Sequence, residues 1–210
     1  MKEKRNGYVE NFNYITLSVA MITILAILVL YIPGLREFDV AILKVIRQFL
    51  SMFPVAIATF VSSFGSAFGL LWFWFEFALI CVLLSNRKYL KTFLLIFCTH
   101  ASFLATNFLK EFLCRERPCG DAYPGFSFPS LHSSSVMCLF GIIIYLTLIN
   151  VSNKLLRYLL VSIYTIFIAL VVISRMWLGV HFLTDVIGGL FMGLLFVNIY
   201  IVLEKFFTKG

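Results

Sequence analysis

Apolar residues run along this chain in blocks too long to be the faces of soluble helices, and short charged turns separate them. Residues 15–32 (ITLSVAMITILAILVLYI) form the first block, closed by Pro33 and Gly34, where a helix interior is no longer tolerated. No small-x-small cleavage site follows it, so it reads as an anchor and not as a signal peptide. Residues 37–50 (EFDVAILKVIRQFL) mix charge with apolar positions at helical spacing, the pattern of an interfacial helix. Further apolar blocks occupy 66–85, 92–109 and 131–149, with a polar loop at 111–130 between the last two. Residues 158–203 then contain only three charged or imidazole side chains: Arg175, His181 and Asp185. A span needs about 20 apolar residues to cross a hydrocarbon layer of roughly 30 Å, so this last run is two spans that turn back near residue 180. The expected fold is all-α: a polytopic membrane protein of six transmembrane helices plus an interfacial helix, one membrane-embedded domain over 1–210.

Composition supports the lipid solvent. Hydrophobic residues make up 61% of the 210 positions and charged residues 13%, against roughly 45–50% apolar content in soluble domains. Charge sets orientation. Ten of the 17 Lys and Arg residues (Lys2, Lys4, Arg5, Arg87, Lys88, Lys91, Lys154, Arg157, Lys205, Lys209) fall on one side, which marks it as cytoplasmic. The net charge of +7 is therefore mostly an orientation signal, and nucleic-acid binding is excluded. Topology leaves Lys110, Arg115, Arg117 and Arg175 unexplained on the outer side.

Parity then brings candidate chemistry together. Lys110 ends the third span, Arg117, Ser130 and His132 lie between the third and fourth or at the start of the fourth, and Arg175 and His181 lie at the fifth-to-sixth turn. All face one compartment. Helix N-termini favour anions, and Ser130 stands where the fourth span begins. Phosphoryl transfer asks a protein mainly for positioning and charge stabilisation, which Lys110, Arg117 and Arg175 can supply. Two imidazoles supply the rest: His181 as nucleophile, with Asp185 one turn on to orient it, and His132 as acid toward the leaving oxygen. Arg115 reads as an ordinary solvated loop residue.

Three stretches then identify a resemblance: Lys110 with Arg117 and Pro118, "PSLH" at 129–132, and "SRMWLGVHFLTD" at 174–185. Together they resemble the signature of the type 2 phosphatidic acid phosphatases, K-x6-R-P, P-S-G-H and S-R-x5-H-x3-D, in order and spacing. The resemblance implies a six-span, metal-independent phosphatase without cofactor, acting through a phosphohistidine, with Lys110, Arg117, Ser130 and Arg175 on the phosphate. Leu131 stands where the family usually has Gly, which keeps the backbone N–H for the phosphate and adds a bulky side chain. The expected substrate is a lipid phosphate or diphosphate met at the outer leaflet of a bacterial inner membrane, undecaprenyl diphosphate or a glycerophospholipid phosphate first. A lipid A phosphatase, a lipid phosphotransferase or a noncatalytic anionic-lipid carrier are the alternatives.

Weaker features complete the reading. Thr99, Ser102, Thr106 and Lys110 share one face of the third span, as interhelical hydrogen-bonding groups would. Gly189 and Gly193 read as a close helix-packing contact. His100 reads as structural, and Glu76 carries no motif. A disulfide between Cys114 and Cys119 is permitted if the outer side is oxidising. No Cys/His set has metal-ligand spacing, and neither a P-loop nor a paired-carboxylate magnesium site is present in the sequence.

Overall fold

The computed structural model describes residues 2–65, 79–80, 82–84 and 88–209. These form helices α1 (Lys2–Tyr31), α2 (Pro33–Leu50), α3 (Val55–Ser63), α4 (Tyr89–Leu113), α5 (Leu131–Asn150), α6 (Lys154–Trp177) and α7 (Leu183–Lys209), with a 3-10 turn at Gly120–Ala122. No strand occurs among the described residues. Five stretches are long and apolar enough to cross a membrane: Asn13–Tyr31, Tyr89–Leu113, Leu131–Asn150, Lys154–Trp177 and Leu183–Thr208. The chain is an integral membrane protein. The second span expected at 66–85, Glu76 with it, lies outside the described residues apart from helical positions 79–80 and 82–84. A sixth span is otherwise reached only if α2 and α3, bent by 112° across residues 51–54, count as one broken helix.

Pro33 at the first turn of α2 explains why two helices meet there, since its missing N–H is one that a helix start leaves unpaired. A helix covers the expected 37–50 and begins earlier, at Pro33. It buries Asp39 and Leu43 and leaves Phe38, Val45 and Phe49 exposed. Asn153 caps α6 by accepting the Leu156 N–H at 3.1 Å.

Helices α5 and α7 form the centre, with α1 and α4 against α7 and α6 against α5. Lipid tails are as apolar as leucine, so close backbone approach and interhelical hydrogen bonds hold such helices together. Gly189 and Gly193 supply that approach. A Cβ at 189 would stand 2.4 Å from the Ser130 carbonyl oxygen, and one at 193 would stand 2.5 Å from that of Ser134. Between α4 and α5 the Thr106 hydroxyl donates to Ser134 Oγ at 2.9 Å, with Thr99, Ser102 and Lys110 buried on the same face. His100 instead faces outward, bonded to the Ile96 carbonyl of its own helix at 2.9 Å. Phe93, Phe97, Phe108 and Phe112 of α4 also face outward, as lipid-contacting residues do. At the end away from the 114–130 loop, Glu204 of α7 pairs with Lys91 at 2.9 Å and accepts the Tyr145 hydroxyl at 3.0 Å, tying α4, α5 and α7 together.

Candidate active site

The C-terminus of α4, both ends of the 114–130 loop, and the α6–α7 turn meet at one end of the bundle. Cys114 ends α4 in the left-handed conformation (φ 49°), which turns the chain sharply into the loop. The loop returns on itself through the Ser127 N–H to the Arg115 carbonyl at 2.7 Å and the Ser127 hydroxyl to the Glu116 carbonyl at 3.0 Å. It then joins the second half of the site: the Ser130 N–H donates to the Asp185 carbonyl at 2.9 Å.

All three expected cations are buried here. Lys110 donates from Nζ to the Phe126 and Ser127 carbonyls at 2.8 and 3.1 Å, which commits two of its three hydrogens. Arg117 donates from Nε to the Gly125 carbonyl at 2.8 Å and from Nη1 to the Val180 carbonyl at 3.1 Å. Burial lowers its pKa, though a guanidinium stays protonated at any working pH. Arg175 bonds Ser62 through Nη1, while its Nε and Nη2 find no partner among the described residues. The ring of Tyr123 lies beneath both arginines, 4.7 Å from Arg117 Cζ and 5.7 Å from Arg175 Cζ.

Arg117 Nη1 also stands 3.2 Å from Nε2 of His181, a ring that is 1% exposed. A guanidinium only donates, so this contact is a hydrogen bond only in the tautomer that carries its proton on Nδ1 and leaves Nε2 as the acceptor. Burial, then the charges of Lys110, Arg175 and Arg117, holds the His181 pKa well below the usual imidazole range. His132 occupies the first turn of α5, within electrostatic range of His181 and the same three cations. Gly65 makes room for its ring: a Cβ there would lie 3.2 Å from His132 Cβ and Cδ2. Ser130 precedes α5 in extended conformation with its hydroxyl unpaired, so it is not a side-chain cap. Leu131, half-buried, is the first residue of α5 and thus carries one of the N–H groups a helix cannot pair internally.

Asp185 lies in the first turn of α7, where the helix dipole favours a carboxylate. Its expected hydrogen bond to His181 is not closed. Nδ1 and Oδ2 stand 3.6 Å apart, because Oδ2 accepts the Phe182 N–H at 2.8 Å, reaching back as the third residue of a capping box does. Oδ1 accepts from Arg115 at 2.5 Å. Arg115 is therefore no solvated loop residue. Its other nitrogen meets Asp39 of α2 at 2.7 Å, and its guanidinium lies 4.6 Å over the Phe182 ring. Asp39, fully buried, also accepts the Thr184 N–H and hydroxyl at 3.1 and 2.5 Å. Sequence reasoning missed this Asp39–Arg115–Asp185 chain. The only signal was a carboxylate on the α2 pattern between Phe38 and Val40, which named no partner. Cys114 and Cys119 are free thiols, so the permitted disulfide is not formed.

Comparison with known proteins places the chain among membrane phosphatases by sequence and fold. Phosphatidylglycerophosphatase B of Bacillus subtilis (strain 168) is 39% identical over 111 residues, 49% of this chain and 51% of that protein, so the chain spans about half the length of this curated relative. The crystal structure of a transmembrane PAP2 type phosphatidylglycerolphosphate phosphatase from Bacillus subtilis superposes with a TM-score of 0.74 at 26% identity, covering 93% of this chain and 96% of that one. LpxE of Aquifex aeolicus shares the fold, with a TM-score of 0.55 at 24% identity over 76% of this chain and 93% of its own. The PAP2 superfamily profile matches residues 91–209, the stretch that carries every cation and both imidazoles of the buried cluster, and the chain belongs to that superfamily.

Proposed function

We propose that this protein is a lipid phosphate phosphatase whose pocket opens at the outer face of a bacterial cytoplasmic membrane, and that it acts through a phosphohistidine on His181. The observation that carries the reading is the convergence of the buried His181 Nε2, 3.2 Å from Arg117, with the buried side chains of Lys110 and Arg175 at one end of the bundle. Lys110, Arg117, Arg175, the Ser130 hydroxyl and the Leu131 N–H hold the nonbridging oxygens. Nε2 attacks phosphorus while the ester or anhydride P–O bond breaks, and His132 passes a proton to the leaving oxygen. Water then attacks the phosphohistidine, giving a proton to His132 as the P–N bond breaks, which releases phosphate and restores both rings. Asp185 steadies the Nδ1–H side of His181. The protein's own cations stabilise the charge, so no metal ion enters the mechanism. The outward orientation rests on the basic side chains Lys88, Lys91, Lys154, Arg157 and Lys205, which sit at the opposite end of the bundle. The substrates that fit are glycerophospholipid phosphates, phosphatidylglycerophosphate first, and undecaprenyl diphosphate. The test is phosphate release by the detergent-solubilised protein in the presence of a chelator. Wild type should turn over and label on histidine, and His181→Ala should do neither; equal release by both would refute the assignment.

A further inference from the structure

Beside the phosphate pocket lies a second basic hollow that the chemistry above does not use. Arg36, Val40, Leu43, Lys44 and Arg47 share one face of α2 by helical spacing. That face lines a cavity of about 380 Å³ whose other wall is Arg117, Pro118 and Phe182. A larger groove of about 710 Å³ shares Arg36, Val40 and Lys44 with it, and adds Val29 and Leu30 of α1, Ile32 at the junction, and Glu37 and Ala41 of α2. Arg36 is taken by Glu116 at 3.0 Å. Lys44 and Arg47 have no carboxylate within ion-pair distance among the described residues.

Arg47 reaches the catalytic turn itself. Gly179 has φ +70°, and a Cβ there would lie 3.2 Å from Arg47 Cζ and Nη1, so the guanidinium rests against the main chain two residues before His181. Arg117 belongs to both places, with Nη1 3.2 Å from His181 Nε2 and its side chain in the wall of the hollow. A headgroup whose terminal phosphate meets His181 and whose next anion lies on the α2 side of Arg117 would enter this hollow beside Lys44 and Arg47. From there the apolar wall of α1 leads away toward the membrane.

Resting on the phosphatase reading, we infer that Lys44 and Arg47 form a subsite for a second anion of the substrate. The protein thereby selects lipids that carry a further phosphate or phosphodiester between the cleaved phosphate and the tail. Charge-assisted hydrogen bonds from these cations are made to the second anion only, so a lipid with a single phosphate gains nothing from them.

The experiment compares full-length wild type with the Lys44→Gln/Arg47→Gln double variant on phosphatidylglycerophosphate, an isoprenoid diphosphate and phosphatidic acid in mixed micelles. The double variant should lose about ten- to a hundredfold in kcat/KM, carried by KM, on one or both of the two-anion lipids. Phosphatidic acid should change by less than about threefold. Which two-anion lipid suffers identifies whether the hollow takes a phosphodiester or the inner phosphate of a diphosphate. Equal loss on all three, no loss on any, a loss carried by kcat, or wild-type turnover of phosphatidic acid alone overturns the subsite and leaves the phosphatase intact. Wild type that releases phosphate from none of the three overturns the phosphatase reading, and the subsite with it.

Discussion

Arg115 bridges two fully buried carboxylates, at 2.7 Å to Asp39 and 2.5 Å to Asp185, and is itself largely buried. Removing one member of such a group strands an uncompensated charge, which costs about 3–5 kcal/mol, where an exposed pair would cost under about 1 kcal/mol. Arg115→Ala should therefore lower the melting temperature in detergent markedly. Adding Asp39→Asn to it should cost less than the two separate losses combined, and strict additivity would show that the bridge is not a unit. Lysine at 115 should rescue poorly, since one ammonium cannot reproduce a planar fork between two acids. His181 carries its own prediction. Its pKa is depressed, so the ring stays neutral as pH falls through the usual imidazole range near 6.5, and protonation removes the nucleophile only below that. The acid limb of kcat/KM should accordingly lie below pH ~6.5, and a limb centred at or above that value would contradict the assignment. Residues such as His181, Asp185 and Arg175 were legible because charge in an apolar run is costly and needs a reason. Arg115 was not, since its meaning lies in Asp39, far away along the chain on a helix that looked merely amphipathic.

At the scale of elements, the glycines of α7 set how near α5 can come. Alanine at 189 would drive its Cβ against the Ser130 carbonyl, and backbone cannot swing aside as a flexible side chain can. Gly189→Ala should lower stability by about 1–3 kcal/mol. It should also depress phosphate release, because Ser130 and His132 ride on the helix end that must shift; a variant with unchanged melting and turnover would show that α5 relaxes freely. The packing of Gly189 and Gly193 was readable from their spacing alone. The helix at 37–50 was readable from its period. The bend behind it was not: Pro54 precedes α3, whose nine residues Val55–Ser63 are too short and too evenly apolar to announce a separate helix.

For the whole molecule, the proposed orientation is open to a direct check. Cys114 is an exposed free thiol at the site end, whereas Cys98 and Cys138 are buried. In a variant keeping Cys114 as its only cysteine, a membrane-impermeant maleimide should label intact cells from outside. Labelling only after lysis would turn the protein over. The charge asymmetry on which the proposed orientation rests was visible in the bare sequence, as was the convergence of four helix ends, because an even number of crossings returns a chain to the side it left. How the two halves of the pocket are fastened was not visible, since main-chain groups share the fastening with Arg115 and Arg117. The 2.9 Å bond from the Ser130 N–H to the Asp185 carbonyl joins two main-chain groups, so neither side chain makes it and only proline at 130 would remove its donor. The frame of the pocket is thus insulated from variation in its lining, and descendants of this scaffold can exchange one phosphorylated headgroup for another without rebuilding what aligns them.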